Sequence, residues 1–202
     1  MKIKGINSIL FGWHGVLDKR SFRGVEEKIA EVRGGLNETD LRVLKSRQYE
    51  YSAGTLGSED FWSFVRDYFD IKQNMIHELR CYFVDVERNE PLWTSLPHLS
   101  KRYSLGIISN CPSEKIKIIY GRGGLNAFKG KIYFSCEHGL TKKDFAFYEL
   151  ALGGMGIPRG KKEKCLFVDS SVIDVSRAMD YGFKGHVYTD NARFLSSVNG
   201  SR

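Results

Sequence analysis

The residues best suited to handling a phosphate-like anion stand at the ends of apolar runs or just ahead of a helical pattern. Ser109 and Asn110 close the run Ser104-Leu105-Gly106-Ile107-Ile108, and Lys142 precedes Lys143-Asp144-Phe145-Ala146-Phe147-Tyr148. A hydroxyl and backbone N–H groups at a strand end, together with an ammonium, are donors that cradle phosphate oxygens. Ser109, Asn110 and Lys142 are therefore candidate phosphate-binding residues. Asp169 closes a second run, Lys164-Cys165-Leu166-Phe167-Val168, and is followed by Ser170 and Ser171. A third run, Ser8-Ile9-Leu10-Phe11, leads into Gly12-Trp13-His14-Gly15 with no carboxylate at its end.

The elements that position these groups read as buried parallel strands delivering loops to one sheet edge, where open α/β folds place their chemistry. Ile132-Tyr133-Phe134-Ser135 and Gly185-His186-Val187-Tyr188 are further strands. Leu92, Leu96, Leu99 and Tyr103 mark a helix before the second run, and Ser113 after Cys111-Pro112 is a plausible cap for the next. A helix from about 143 to 152 ends at Gly153-Gly154, and Ser171 caps another over 172–181 that Gly182 closes. The expected fold class is α/β, a doubly wound parallel sheet interrupted by an inserted helical segment.

In order along the chain, these stretches resemble the motifs of the haloacid dehalogenase-like (HAD) superfamily, helical-cap type, most of whose members are magnesium-dependent phosphatases. The resemblance covers nearly the whole chain and is strongest from Lys142 to Asp190. It implies a Rossmann-like core over residues 1–17 and 92–202 and an inserted helical cap over 18–91. It also assigns Ser109, Asn110 and Lys142 to the phosphoryl group and Asp169 to the metal.

The chain departs from the superfamily where the chemistry lies. The first motif normally reads Asp-x-Asp, nucleophile then general acid and base, and here those positions are Gly12 and His14. The fourth motif usually carries adjacent carboxylates, and here Asp169 is followed by Ser170. Magnesium needs hard oxygen ligands in near-octahedral geometry, so with Asp169 alone the site should bind it poorly and no cofactor is expected. A covalent aspartyl-phosphate route needs the missing carboxylate itself, and Asp18 lies too far along the loop to serve.

The expectation is a catalytically silent, phosphatase-like protein that acts by binding a phosphorylated small molecule or a protein partner. One alternative is a working hydrolase with a rearranged site that uses Asp169 or His14 as a base. His14, Cys111, His138 and Asp169 all fall near predicted strand ends and would suit a transition metal better than magnesium. Another alternative is a basic interaction module.

Of the 202 residues, 42% are apolar and 13% aromatic, enough to bury a real core. The net charge of +7 raises the question of nucleic acid, but the basic residues are dispersed and the densest run, Arg159 to Lys164, is a polar connection. Nucleic acid is therefore not the expected partner. No apolar run approaches the roughly 20 residues of a membrane span and Met1-Lys2-Ile3-Lys4 leads into the first strand, so the expected location is cytoplasmic and off the membrane. Cys81, Cys111, Cys136 and Cys165 stand singly, which argues against a disulfide framework.

Within the inserted segment, Leu36, Leu41 and Leu44 recur at helical spacing after a cap at Asn37 or Thr39. Ser58 is the expected cap of a helix with Phe61, Trp62, Phe64, Val65, Tyr68 and Phe69 on a wide apolar face. A third helix follows over about 72–86. Arg47, Tyr49 and Tyr51 either face a ligand or pack the helices together, the second being what aromatic faces usually do.

Overall fold

The computed structural model describes residues 3–198. Its first strand, β1 (Ser8–Phe11), is buried along its whole length and lies at the centre of the sheet. Four helices follow: α1 (Phe22–Arg33), α2 (Glu38–Ala53), α3 (Ser58–Phe69) and α4 (Gln73–Val84). Then come α5 (Glu90–Leu99), β2 (Ser104–Ser109), α6 (Ser113–Arg122), β3 (Ile132–Phe134) and the single turn α7 (Ser135–His138). The chain continues through α8 (Phe145–Gly154), β4 (Cys165–Asp169), α9 (Val172–Tyr181), β5 (Lys184–Val187) and α10 (Asn191–Val198).

The five strands form one parallel sheet in the order β3-β2-β1-β4-β5. The central strands β1, β2 and β4 read as largely apolar runs because helices cover both faces. Successive strand side chains point to opposite sides. Thus Ile9, Phe11, Ile107 and Val168 join one buried cluster with residues of α5, α6 and α10. Leu10, Ile108 and Phe167 join another with α8 and α9. The doubly wound sheet expected from the sequence is the one observed.

The helices α1 to α4 carry a third buried cluster, in which Val25, Ile29, Leu44, Phe61, Trp62, Val65 and Phe83 meet. Asn37 caps α2, accepting from the Asp40 N–H at 2.9 Å. The expected Ser58 cap is corrected: Gly57 holds the N-cap position and Ser58 is the first helical residue. Its hydroxyl is turned to Glu114 at 2.7 Å instead. The segment also contains a helix the pattern did not reveal, α1, capped by Ser21 and burying only Val25 and Ile29.

Several boundaries move. Tyr103 lies beyond α5, Pro112 rather than Ser113 is the N-cap residue of α6, and Ser135 opens α7 instead of ending β3. Gly153 and Gly154 are inside α8, whose end is Met155. Ser171 caps α9 as expected, and Gly182, at φ +112°, closes it in the left-handed region that favours glycine. No helix among the described residues is long and apolar enough to cross a membrane.

Candidate functional site

Parallel pairing sets Phe11 beside Val168, so Gly12 follows β1 into the space beside Asp169, and its N–H donates to the Val168 carbonyl at 2.8 Å. A Cβ built on Gly12 would lie 2.8 Å from the Asp169 Cγ and closer still to Oδ2. The Asp169 carboxylate thus fills the volume that a side chain at position 12 would need. It is held there from both sides: Oδ2 accepts from the Lys142 ammonium at 2.8 Å and Oδ1 from the Ser171 N–H at 2.9 Å.

Lys142 has a second partner that the sequence reading missed. Its Nζ lies 2.7 Å from Asp174 Oδ2, in the first turn of α9, where the Asp174 N–H donates to the Ser171 hydroxyl. The second carboxylate of this region therefore comes from position 174 and not from position 170. A signal was present: one and a half helical turns after Asp169, just inside a capped helix start, is close enough to turn back to the strand end. Ser170, at the position where an acid was looked for, donates instead to the His14 carbonyl at 3.1 Å.

Burial opposes the Lys142 charge, but Asp169 and Asp174 together hold its pKa above the ordinary lysine value. Burial also opposes ionisation of Asp174, yet Lys142 and then Arg177 keep it below the usual carboxylate range. Asp169 goes the other way: burial raises it more than Lys142 draws it down. The ammonium is thus a fixed cation between two carboxylates, one of which gains a proton more readily than an exposed aspartate.

Of the candidate anion-binding groups, Ser109 is buried at the end of β2, and the Asn110 side-chain oxygen accepts from the Lys142 backbone N–H at 2.8 Å. The Ser109 hydroxyl lies 3.5 Å from the Asn110 carbonyl, while the Lys142 ammonium is turned away from both to Asp169 and Asp174. The His14 ring packs on the inserted helices. It stacks on Phe83 of α4 and tilts against Phe22 of α1, with centroids 5.9 and 5.6 Å away. Its Nε2 is sealed without a hydrogen-bond partner among the described residues. Burial, then Lys115 and Lys142, lower its pKa well below the ordinary histidine value, so the imidazole is neutral at pH 7.

The loop from Gly12 to Asp18 also joins the sheet to the four-helix segment. Asp18, discounted as too far for chemistry, is fully buried in an ion pair with Lys115 at 2.7 Å. Its Oδ1 accepts from the backbone N–H of both Arg20 and Glu87, the two chain segments that enter and leave the helices. Glu114 makes a second joint, accepting from Tyr51, Ser58, Trp62 and Arg80. Tyr51 is thus a packing residue, stacked on Phe61 at 4.4 Å. Tyr49 lies under the Lys143 ammonium, and Arg47 pairs with Glu50.

The magnesium ion implied by the resemblance does not fit these residues. Gly12 offers no side-chain oxygen, and the gap between Asp169 and Asp174 already holds an ammonium at hydrogen-bond distance from both. A divalent ion would have to share that gap with a positive charge. Nor is the transition-metal alternative assembled: among the described residues no three His, Cys, Asp or Glu side chains converge to hold a metal. Cys111 is sealed in the core, and His138 packs against Tyr133 and Phe147.

No protein-family model matches the chain, and no curated protein matches it. Solved structures do. The HAD family enzyme BT-2542 of Bacteroides thetaiotaomicron superposes with a TM-score of 0.74 at 16% identity, covering 95% of this chain and 98% of that one. Other structures of that enzyme are described in complex with magnesium and inorganic phosphate, one of them an aspartate-to-alanine mutant. A Porphyromonas gingivalis protein described as a predicted HAD-like family hydrolase gives 0.68 at 18% identity over 95% of each chain. The L-2-haloacid dehalogenase of Xanthobacter autotrophicus gives 0.60 at 20%, covering 89% of this chain and 76% of that one. The arrangement of five parallel strands, flanking helices and a helical segment inserted after the first strand is the haloacid dehalogenase-like fold.

Proposed function

We propose that this chain is a catalytically silent protein on the haloacid dehalogenase-like fold, acting by binding rather than by hydrolysis. The observation that carries this reading is the Asp169 carboxylate in the volume of a position-12 side chain, pinned there by Lys142. Covalent phosphoryl transfer needs a carboxylate rooted at that position, and Asp169 is engaged with a cation instead. His14, neutral and packed against the stacked pair Phe22 and Phe83, is not placed to exchange protons with a substrate at the sheet edge.

The partner on this reading is a phosphorylated small molecule or a protein, with Ser109, Asn110 and Lys142 as the polar groups nearest the edge. BT-2542 offers a precedent: its aspartate-to-alanine mutant is described in complex with magnesium and inorganic phosphate. The test is a turnover screen of the purified protein on aryl and sugar phosphates with magnesium, manganese and zinc. Turnover at the level of the protein-free blank is expected. Metal-dependent turnover that disappears in Asp169→Ala would overturn the reading in favour of a rearranged hydrolase.

A further inference from the structure

A groove of about 330 Å³ runs between α4 and α6, lined by His77, Arg80, Cys81, Val84, Glu114 and Ile118. His77 and Cys81 are four residues apart on α4, and that spacing sets them on the same face of the helix. The His77 Nε2 lies 3.5 Å from the Cys81 Sγ, and both side chains are exposed at the groove. Val84 and Ile118 supply its apolar wall.

The other three thiols are withheld from such chemistry. Cys111 and Cys165 are fully buried, and burial pushes the first well above the ordinary thiol value and the second up to about 12. Cys136 is partly buried and pushed up to about 11, by burial and then by Glu137. Thiolate attack at neutral pH is thereby disfavoured at all three.

We propose that Cys81 is a site of thiol–disulfide exchange, with His77 as its base and the α4–α6 groove as the seat of a small disulfide. With the ring proton on Nδ1, the His77 Nε2 takes the Cys81 thiol proton. The thiolate attacks one sulfur of the disulfide R–S–S–R; the Cys81–S–S–R bond forms as the R–S–S–R bond breaks, and the departing thiolate recovers the proton from His77 as R–SH. No electron is gained or lost beyond this exchange, because the small disulfide is the oxidant. The adduct would sit beside Arg80, which holds Glu114, Ser58 and Glu59. Modification therefore bears on the contacts that fasten the inserted helices to the sheet.

The experiment uses the full chain with oxidised glutathione, read by intact mass and peptide mapping, and with a chromogenic aromatic disulfide, read as a rate. A first adduct on Cys81, absent from Cys81→Ser, is expected. His77→Asn should slow the reaction by about tenfold or more at pH 7. Equal rates at pH 7 for the native protein and His77→Asn would overturn the proposal, as would a first adduct on another cysteine.

Discussion

Lys115 and Lys142 are both buried and both ion-paired to an aspartate, yet their surroundings differ. Lys142 stands at the sheet edge between Asp169 and Asp174, and its carboxylate partners keep some contact with other donors, Ser171 and Arg177. Lys115 is sealed completely. It pairs with a single carboxylate, Asp18, donates to the Phe83 and Asp85 carbonyls at 2.8 and 3.2 Å, and lies over the Phe83 ring. One lysine bridges two carboxylates at the sheet edge; the other binds three separated segments into one joint. The same kind of ion pair thus holds a carboxylate in place at the sheet edge in one region and fastens the inserted helices in the other.

The comparison can be broken at Lys115 first. Lys115→Met leaves the buried Asp18 with N–H donors but no counter-charge and should lower unfolding free energy by about 3–5 kcal/mol in a denaturant titration. Lys142→Met should lower it by less, about 2 kcal/mol, because Asp174 retains Arg177 and Asp169 is already inclined to take a proton. That deficit should shrink towards acid pH, as Asp169 becomes neutral. Equal losses, or a larger loss at Lys142, would remove the distinction between the two lysines.

His14 gives the smallest effect. Its folded-state pKa lies below its ordinary value of 6.5, so the unfolded chain takes up a proton that the folded chain refuses. The stability due to the neutral ring is present above pH 6.5 and lost as pH falls through the lowered folded value, by at most about 1.4 kcal/mol per pH unit. His14→Phe should flatten that part of the profile. An unchanged slope would mean that His14 is solvated.

Much of the frame was legible in the sequence because it depends on local rules. Ser8–Phe11 and Cys165–Asp169 are uninterrupted apolar runs since both faces of the sheet are covered, and Asn37 and Ser171 announce their helices through side-chain caps. Lys142 was found through its place in a motif. What escaped depends on contacts between distant segments. Ser58 had the type of a cap, but Glu114, 56 residues away, draws its hydroxyl off. Asp18 and Lys115 meet only once the helical segment folds back, so nothing in their neighbours marks them. Asp174 was missed because adjacency in the chain was taken for adjacency at the site.

Asp169 fills from within the space that a position-12 side chain would need. A double-mutant cycle of Gly12→Ala and Asp169→Ala, with stability read by denaturant unfolding, tests it most directly. Overpacking predicts that Gly12→Ala alone costs about 1–3 kcal/mol, and that most of this loss vanishes when Asp169 is already alanine. A near-neutral Gly12→Ala, or a cost that is unchanged in the Asp169→Ala background, would contradict the account.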